Sequence, residues 1–132
     1  MSDTPKLSIV LMSSEMEKLH AGAMLGSVAA ASGMQVNFFV TMEALKMFLK
    51  ETIEKQDFES STVGDTLLDK KVDLFYRMLE DGKDLGDLKV YGCSLVADVM
   101  EWEQEDMHDV VDDVIGVNAF FGISEGSQIM VM

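Results

Sequence analysis

The chain has 132 residues, the length of one ordinary domain, and its 48% hydrophobic content is enough for a core, so we expect a single domain over residues 1–132. The net charge of −14 argues against nucleic-acid binding and against anionic membrane surfaces. A single cysteine excludes an internal disulfide and any cysteine-cluster metal site. No apolar run reaches the roughly 18 residues of a membrane span, and no signal-peptide pattern begins the sequence, so we expect a cytoplasmic protein.

The first third of the chain has the pattern of a β–α–β unit. Residues 6–12, KLSIVLM, form a nearly continuous apolar run, which is typical of a parallel strand covered on both faces. Ser14 is the predicted N-cap of a helix over residues 15–32, which is rich in small side chains, and Gly33 is its predicted stop. A second strand is predicted over residues 34–40, MQVNFFV.

The middle of the chain predicts two more helices separated by a polar loop. Thr41 is the predicted N-cap of the first, whose apolar positions are Leu45, Phe48, Leu49 and Ile53. Residues 54–64 are polar and predict an exposed loop. The second helix is predicted from the spacing of Leu68, Val72, Phe75, Tyr76 and Leu79, with Gly82 closing it.

Residues 88–102, LKVYGCSLVADVMEW, place the only cysteine, Cys93, between a predicted strand and a predicted helix. In a parallel α/β sheet such a turn lies at the carboxyl edge of the strands, where ligands bind. Free backbone N–H groups and the helix dipole there favour an anion such as a thiolate. The position therefore predicts a sulfur nucleophile, and the alternative is a packing role, because free cysteine is often buried.

Two neighbours favour the functional interpretation of Cys93. Gly92 lets the backbone come close to a ligand, and Ser94 supplies a hydroxyl at a predicted N-cap.

The last third of the chain predicts the remaining strands. Residues 101–109 form an acidic stretch that predicts a solvated turn and lacks the pattern of an EF-hand loop. Residues 110–117 leave a fourth strand and a further turn of helix both open, and residues 127–132 predict a terminal strand. Five strands interleaved with helices indicate an α/β fold.

Motifs for nucleotide and metal chemistry do not occur: the sequence has no GxGxxG, no GxxxxGK[ST] and no HExxH. His20 and His108 lack a paired spacing, and each is more often a surface or capped histidine than a metal ligand. A Cys93/His108 pair is conceivable, but no second feature supports a hydrolase. We therefore expect no metal and no organic cofactor.

Four segments together resemble the DsrE/DsrF-like family, which includes sulfur-relay proteins such as TusD and relatives often labelled peroxiredoxin-like. The segments are SSEMEKLHAGAMLGSVAAASGM, FFVTMEALKMFL, KVYGCSLVADVMEW and VIGVNAFFGISEGSQIMVM. The similarity covers nearly the whole chain and is weakest over residues 55–69. Its most specific part is the strand–Cys–helix segment followed by an acidic turn and residues 114–117, VIGV, with Phe120 three residues on. Ile115 stands where the family has the first of two glycines.

The resemblance implies a three-layer α/β/α fold with a mostly parallel five-stranded sheet, assembled as a homotrimer, a hexamer or a hetero-hexamer. It also implies that sulfane sulfur is carried as a persulfide or thiosulfonate on the cysteine that matches Cys93, without a cofactor. The partners would be sulfur donor and acceptor proteins or small sulfur compounds.

The favoured prediction is thus a cytoplasmic sulfur carrier of the sulfurtransferase type. The backbone N–H groups of Ser94 and Leu95 would stabilise the Cys93 anion. Residues predicted to line the same pocket are Ser13, Ser14, Glu15, Thr41, Met42, Gly116 and Val117. The alternative is a non-catalytic assembly or small-ligand-binding module in which Cys93 is buried. Peroxide reduction through a sulfenic acid ranks third, because the chain has no resolving cysteine.

Overall fold

Five parallel strands form the central sheet of the computed structural model, which describes residues 4–132. The strand order is β4-β3-β2-β1-β5, so the chain crosses from one edge of the sheet to the other before its last strand. The strands are β1 Lys6–Leu11, β2 Gln35–Val40, β3 Leu88–Cys93, β4 Asp113–Ile115 and β5 Gln128–Val131. The predicted five-stranded parallel sheet is confirmed, and it forms the middle layer of a three-layer α/β/α fold.

Within the described residues, seven α-helices and one 3₁₀ turn, Gln104–Asp106, connect these strands. The helices are α1 Met16–Ala31, α2 Glu43–Met47, α3 Lys50–Lys55, α4 Thr62–Asp69, α5 Phe75–Leu85, α6 Ser94–Met100 and α7 Val117–Ile123.

The face of the sheet covered by α1 and α5, which we call the α1 face, holds the main core. Phe38 of β2 is fully buried there, and the ring lies so close to α1 that a Cβ built on Gly26 would be 2.3 Å from Phe38 Cζ. Gly82 of α5 makes a similar close approach, since a Cβ there would lie 3.0 Å from Ser27 Cβ. Gly26 therefore lets α1 lie close to the sheet, and Gly82 lets α5 lie close to α1.

The opposite face, which we call the α7 face, is covered by the short helix α7. Helix α6 lies at the carboxyl edge of the sheet, where Ala97 packs in the main core and Val96 contacts both apolar clusters. Successive strand residues point to opposite faces, so Phe39 lies on this side, where it packs with Cys93 and Phe120. The hydroxyls of Ser8 in β1 and Ser124 after α7 form a buried hydrogen bond of 2.8 Å, which ties the end of α7 to the sheet.

Both predicted helices of the middle region are interrupted. The helix predicted to follow Thr41 is broken into α2 and α3, because the chain turns at Phe48 and Leu49. The helix predicted to end at Gly82 is split into α4 and α5, with Gly82 inside α5. The predicted exposed loop over residues 54–64 is shorter than expected, since α4 already begins at Thr62.

The predicted hydroxyl caps are wrong. Glu15, Met42 and Cys93 occupy the N-cap positions of α1, α2 and α6, without a side-chain capping bond. Ser14 instead donates a hydrogen bond to Glu59, and Ser94 is the first residue of α6. Gly33, with a φ of 99°, does end α1 as predicted, because Gly33 N–H donates to Ala30 O.

Candidate functional site

Cys93 ends β3 and immediately precedes α6, as the sequence predicts. It lies opposite Ile115 of β4, and its extended backbone (φ −75°, ψ 118°) occupies the N-cap position of α6. Since the strands are parallel, this position is at the carboxyl edge of the sheet. The predicted placement of Cys93 between a strand and a helix at this edge is confirmed.

The Cys93 side chain is covered by two aromatic rings. Only 2% of the residue is exposed, and it packs with Phe39 and Phe120, whose stacked rings have centroids 4.8 Å apart. Four partly buried side chains complete the enclosure: Val10, Tyr91, Val96 and Ile115. The thiol therefore lies in apolar surroundings, and a reactant in solution reaches Sγ only when part of this cover moves.

Tyr91 brings a polar group to the edge of the enclosure. Burial is the main cause that raises the pKa of its hydroxyl, and the nearby carboxylates Asp112, Asp113 and Asp87 add to the effect. Tyr91 therefore stays a neutral hydrogen-bonding group at neutral pH.

The glycine before the cysteine does not open the site to a ligand. Gly92 is buried on the opposite face of the sheet, where a Cβ would lie 3.3 Å from Leu45 Cδ1 and 3.5 Å from Met107 Sδ. The prediction that Gly92 admits a ligand beside Cys93 is therefore wrong, because this glycine makes room for α2 and for the turn after α6.

Two predicted pocket residues, Ser94 and Gly116, do adjoin each other. A Cβ built on Gly116 would lie 3.6 Å from Ser94 Oγ, so the start of α7 contacts the start of α6. Val117, the first residue of α7, is 47% exposed. Gly116 and Val117 directly follow Ile115, the residue of β4 that pairs with Cys93.

Met42 and Leu95 meet in a separate depression beside α6, which we call the α6 groove. Its volume is about 430 Å³, and it is lined by Met42, Glu43, Leu95, Val96, Val99, Met100 and Trp102. The backbone of Met42 has a φ of 52° and a ψ of −140°, which is an uncommon conformation for any residue other than glycine. Val96 lines the groove and also packs beside Cys93, so the two features share a wall.

The serines after β1 and Thr41 after β2 do not join the groove. Ser13 lines a different hollow of about 490 Å³ with Met12, Lys18 and the chain end. Ser14 donates a hydrogen bond of 2.6 Å to Glu59, while Glu15 pairs with Lys18 at 3.5 Å. Thr41 continues β2 by donating its N–H to Leu11 O. The predicted single pocket that combines all these residues with Cys93 is therefore wrong, because the groups lie in separate hollows.

His108 is partly buried beside the main core and does not lie in the Cys93 enclosure. Its ring is 5.2 Å from the Tyr76 ring, its Nδ1 accepts a hydrogen bond of 3.0 Å from Val110 N–H, and its own N–H donates to Phe48 O. Cys93 lies in the other apolar cluster, so the structure does not bring a Cys93/His108 pair together.

Sequence reasoning missed the residues that cover Cys93 and most of the residues that form the groove. Phe39 and Phe120 are far apart in the sequence, and α7 was not predicted, so their stacking had no local signal. Val99 and Met100 were identified only as apolar helix positions, although both are at least half exposed.

Residues 4–132 contain no group of three or more His, Cys, Asp or Glu side chains arranged to hold a metal ion. None of the helices in these residues is long and apolar enough to cross a bilayer.

No family model and no curated protein matches this chain. Among solved structures, the chain is similar to MTH1491 from Methanobacterium thermoautotrophicum, which is described as a protein of unknown function. The two share 11% sequence identity with a TM-score of 0.64, and the match covers 97% of this chain and 99% of that one. A likeness at this identity establishes the shared α/β/α fold alone.

Proposed function

We propose that this chain is a sulfur carrier of the sulfurtransferase type, which holds sulfane sulfur on Cys93 as a persulfide or thiosulfonate. The observation that carries the proposal is the position of the only cysteine at the carboxyl edge of the sheet, at the start of α6. The first-turn N–H groups of Ser94 and Leu95 follow it and favour an anionic sulfur. The resemblance of the chain to the DsrE/DsrF-like family supports the same chemistry.

Loading is proposed as a thiol exchange in which atoms and electrons balance. The Cys93 thiolate attacks the outer sulfur of a donor persulfide, R–S–SH. A new S–S bond forms at Cys93 Sγ, the donor S–S bond breaks, and the donor leaves as its thiolate. An acceptor thiolate then attacks the outer sulfur of the Cys93 persulfide and releases the Cys93 thiolate. No metal or organic cofactor takes part in this exchange.

The proposed exchange requires Phe120 to move, because the Phe120 ring covers Cys93. It lies on α7, a helix of seven residues whose end is tied to β1 through the Ser8–Ser124 hydrogen bond. Displacing α7 uncovers Sγ without disturbing β3. In the proposed function, α7 shields the loaded sulfur from small thiols between the donor and the acceptor.

The test is the intact mass of the native protein after incubation with polysulfide or tetrathionate, before and after a reductant. We expect a reducible sulfur adduct on the wild-type chain and none on the folded Cys93→Ala variant. An adduct of equal yield on the variant, or no adduct on the folded wild-type protein, would contradict the proposal.

A second candidate function is a non-catalytic oligomeric assembly or small-ligand-binding module in which Cys93 is structural. The 2% exposure of Cys93 favours it, since a thiol enclosed by apolar side chains serves packing without reacting. This candidate predicts that a thiol reagent modifies Cys93 only at the rate of global unfolding and that sulfur donors leave no adduct. Modification well below the unfolding midpoint would exclude it.

We also propose that the chain acts in the cytoplasm as a homo-oligomer, a trimer or a hexamer, that exchanges sulfur with donor and acceptor partners. Support for self-association comes from exposed apolar side chains on α7 and on the edge strand β5, including Phe121 at 60% and Val131 at 63% exposure. Light scattering should show an oligomer whose mass falls in Phe121→Asp. Leu85→Asp, an equally exposed position on α5, is the matched control and should leave the mass unchanged.

A further inference from the structure

The floor of the α6 groove is apolar and has no covering segment within residues 4–132. Its side chains are at least half exposed at Met42, Leu95, Val99 and Met100, with Val99 reaching 71%. Leu95 and Val99 are four residues apart and form one stripe along α6. The groove volume of about 430 Å³ lies within the range of about 300–1,000 Å³ found for ligand sites. Its methionines can adapt to the shape of an occupant.

Carboxylates lie in the wall of the groove and in a hollow beside it. Glu43 lies in the groove wall and forms no ion pair within the described residues. Trp102 continues the wall into an adjoining hollow, which is lined by three more acidic side chains: Glu51, Glu105 and Asp106. The lysine of that hollow, Lys50, is already engaged, since it donates to Glu105 O at 2.9 Å and lies 3.8 Å from Asp109.

The same end of the chain carries most of the excess negative charge. Residues 90–132, which form α6, the acidic turn, β4, α7 and β5, contain nine acidic residues and no Lys or Arg. Residues 1–89 contain fifteen acidic and ten basic residues. The field beside the groove therefore attracts cations and repels another acidic surface.

We propose that the α6 groove docks a basic amphipathic helical segment of a partner protein. The apolar face of such a helix fills the groove at three- and four-residue spacing, and its Lys or Arg side chains meet Glu43, Glu105 and Asp106. A second copy of this chain fits this groove less well, because its net charge of −14 would meet the acidic side chains beside the groove, and the proposed self-association uses α7 and β5 instead. The proposal does not depend on sulfur chemistry, although Val96 places a docked helix beside the covered cysteine.

The probe for the test is a synthetic helical peptide without Trp, with Leu at the positions of one helix face and Lys at the others. It is titrated into the full chain while the emission of Trp102, the only tryptophan, is followed. We expect a saturable blue shift. A peptide of the same composition with a scrambled Leu pattern should bind about tenfold more weakly or worse. A peptide with Glu in place of Lys should not bind.

Two charge-matched variants separate docking from general attraction. Val99→Asp places a carboxylate in the groove, and Val28→Asp adds the same charge at a 61% exposed position of α1. Because added negative charge alone strengthens the attraction of a basic peptide, weakening in Val99→Asp reports the loss of apolar contact. We expect it to weaken binding about tenfold or more, with Val28→Asp at least as tight as wild type.

The rim has its own test. Glu43→Gln combined with Glu105→Gln should weaken binding several-fold and flatten its salt dependence, because two charges that face the bound Lys side chains are removed. Glu125→Gln, which lies after α7, should have a smaller effect.

Several outcomes would overturn the proposal. These are the absence of saturable binding, equal affinity for the Lys and Glu peptides, and equal affinity of Val99→Asp and Val28→Asp variants that keep the wild-type circular dichroism. An oligomer mass that falls in Val99→Asp but not in Val28→Asp would show instead that a second copy occupies the groove.

Discussion

The two faces of the sheet are covered in different ways. On the α1 face, α1 with 16 residues and α5 with 11 bury a core that includes the fully enclosed Phe38. On the α7 face, α7 has only seven residues and leaves Phe121 60% exposed, and the equally short α6 at the adjoining carboxyl edge leaves Leu95 and Val99 more than 60% exposed. The same sheet thus has one thickly packed face and one thinly covered face.

This difference separates the region that we expect to supply most of the stability from the region to which we assign the proposed function. The α1 face buries large side chains between long helices, so most of the free energy of folding comes from there. The α7 face and the adjoining carboxyl edge hold the only cysteine and the α6 groove. Short elements with few buried contacts open at low cost, which is what a covered thiol and a docking surface require.

The largest expected effect is on the α1 face. Phe38→Ala removes a fully buried ring packed against Gly26, and we expect it to lower the free energy of unfolding by about 3–5 kcal/mol. Urea unfolding followed by circular dichroism measures the loss. If Phe38→Ala lowers the free energy of unfolding by less than Phe120→Ala does, the α1 face is not the more stabilising of the two faces.

The matched change on the α7 face is Phe120→Ala. Because Phe120 packs in a small cluster at a thin layer, we expect the free energy of unfolding to fall by less than the roughly 3 kcal/mol typical of buried Phe. The same variant should react faster with a thiol reagent at Cys93. Unchanged reactivity in a folded variant would show that Phe120 is not the cover.

A hydrogen bond ties the C-terminal end of α7 to the sheet, and its loss should have a smaller effect. Ser124→Ala leaves the buried Ser8 Oγ without its partner, which costs about 1–3 kcal/mol. The Ser8→Ala/Ser124→Ala double variant should recover part of this loss, since no unpaired hydroxyl remains. A double variant as unstable as the sum of both single changes would count against a direct coupling.

The pH dependence should come first from His20 on α1. Burial lowers the pKa of its imidazole below the ordinary 6.5, because the charged form is poorly solvated. The unfolded chain then binds the proton of His20 more tightly than the folded chain does. The stability that depends on neutral His20 is therefore fully present above pH 6.5 and is lost as the pH falls from 6.5 through the lowered pKa. The urea midpoint of His20→Gln should fall less over the same interval.

The smallest effect is at Glu17, also on α1. Its carboxylate accepts hydrogen bonds from Ser61 N–H at 2.7 Å and Gly64 N–H at 2.8 Å, and these bonds lower its pKa below 4.5. The contribution of the Glu17 carboxylate to the stability of the fold is present above pH 4.5 and is lost as the pH falls through the lowered pKa. Glu17→Gln should show a weaker dependence of the urea midpoint on pH in this acid range.

Four of the strands could be predicted, because each is a short, mainly apolar run bounded by polar or small residues. The sequence left β4 open, because this strand has only three residues and begins with Asp113. The breaks in the helices could not, since Met42 and the turn at Phe48 and Leu49 are set by how α2 and α3 pack on the core. Helix α7 also escaped prediction, because it has only seven residues and contains Gly122, although Val117, Phe120 and Phe121 have the i, i+3, i+4 spacing of a helix. The position of Cys93 followed from local sequence, whereas its burial depends on Phe39 and Phe120, which meet only in the folded chain.

The most direct test of the proposal that Cys93 carries sulfur compares sulfur loading in three chains: wild type, Phe120→Ala and Cys93→Ala. Each folded protein is mixed with polysulfide, and the intact mass is followed over time. We expect a reducible adduct on wild type, faster loading in Phe120→Ala, and none in Cys93→Ala. If neither wild type nor Phe120→Ala gains sulfur while both remain folded, Cys93 is a packing residue and the sulfur-carrier proposal is contradicted.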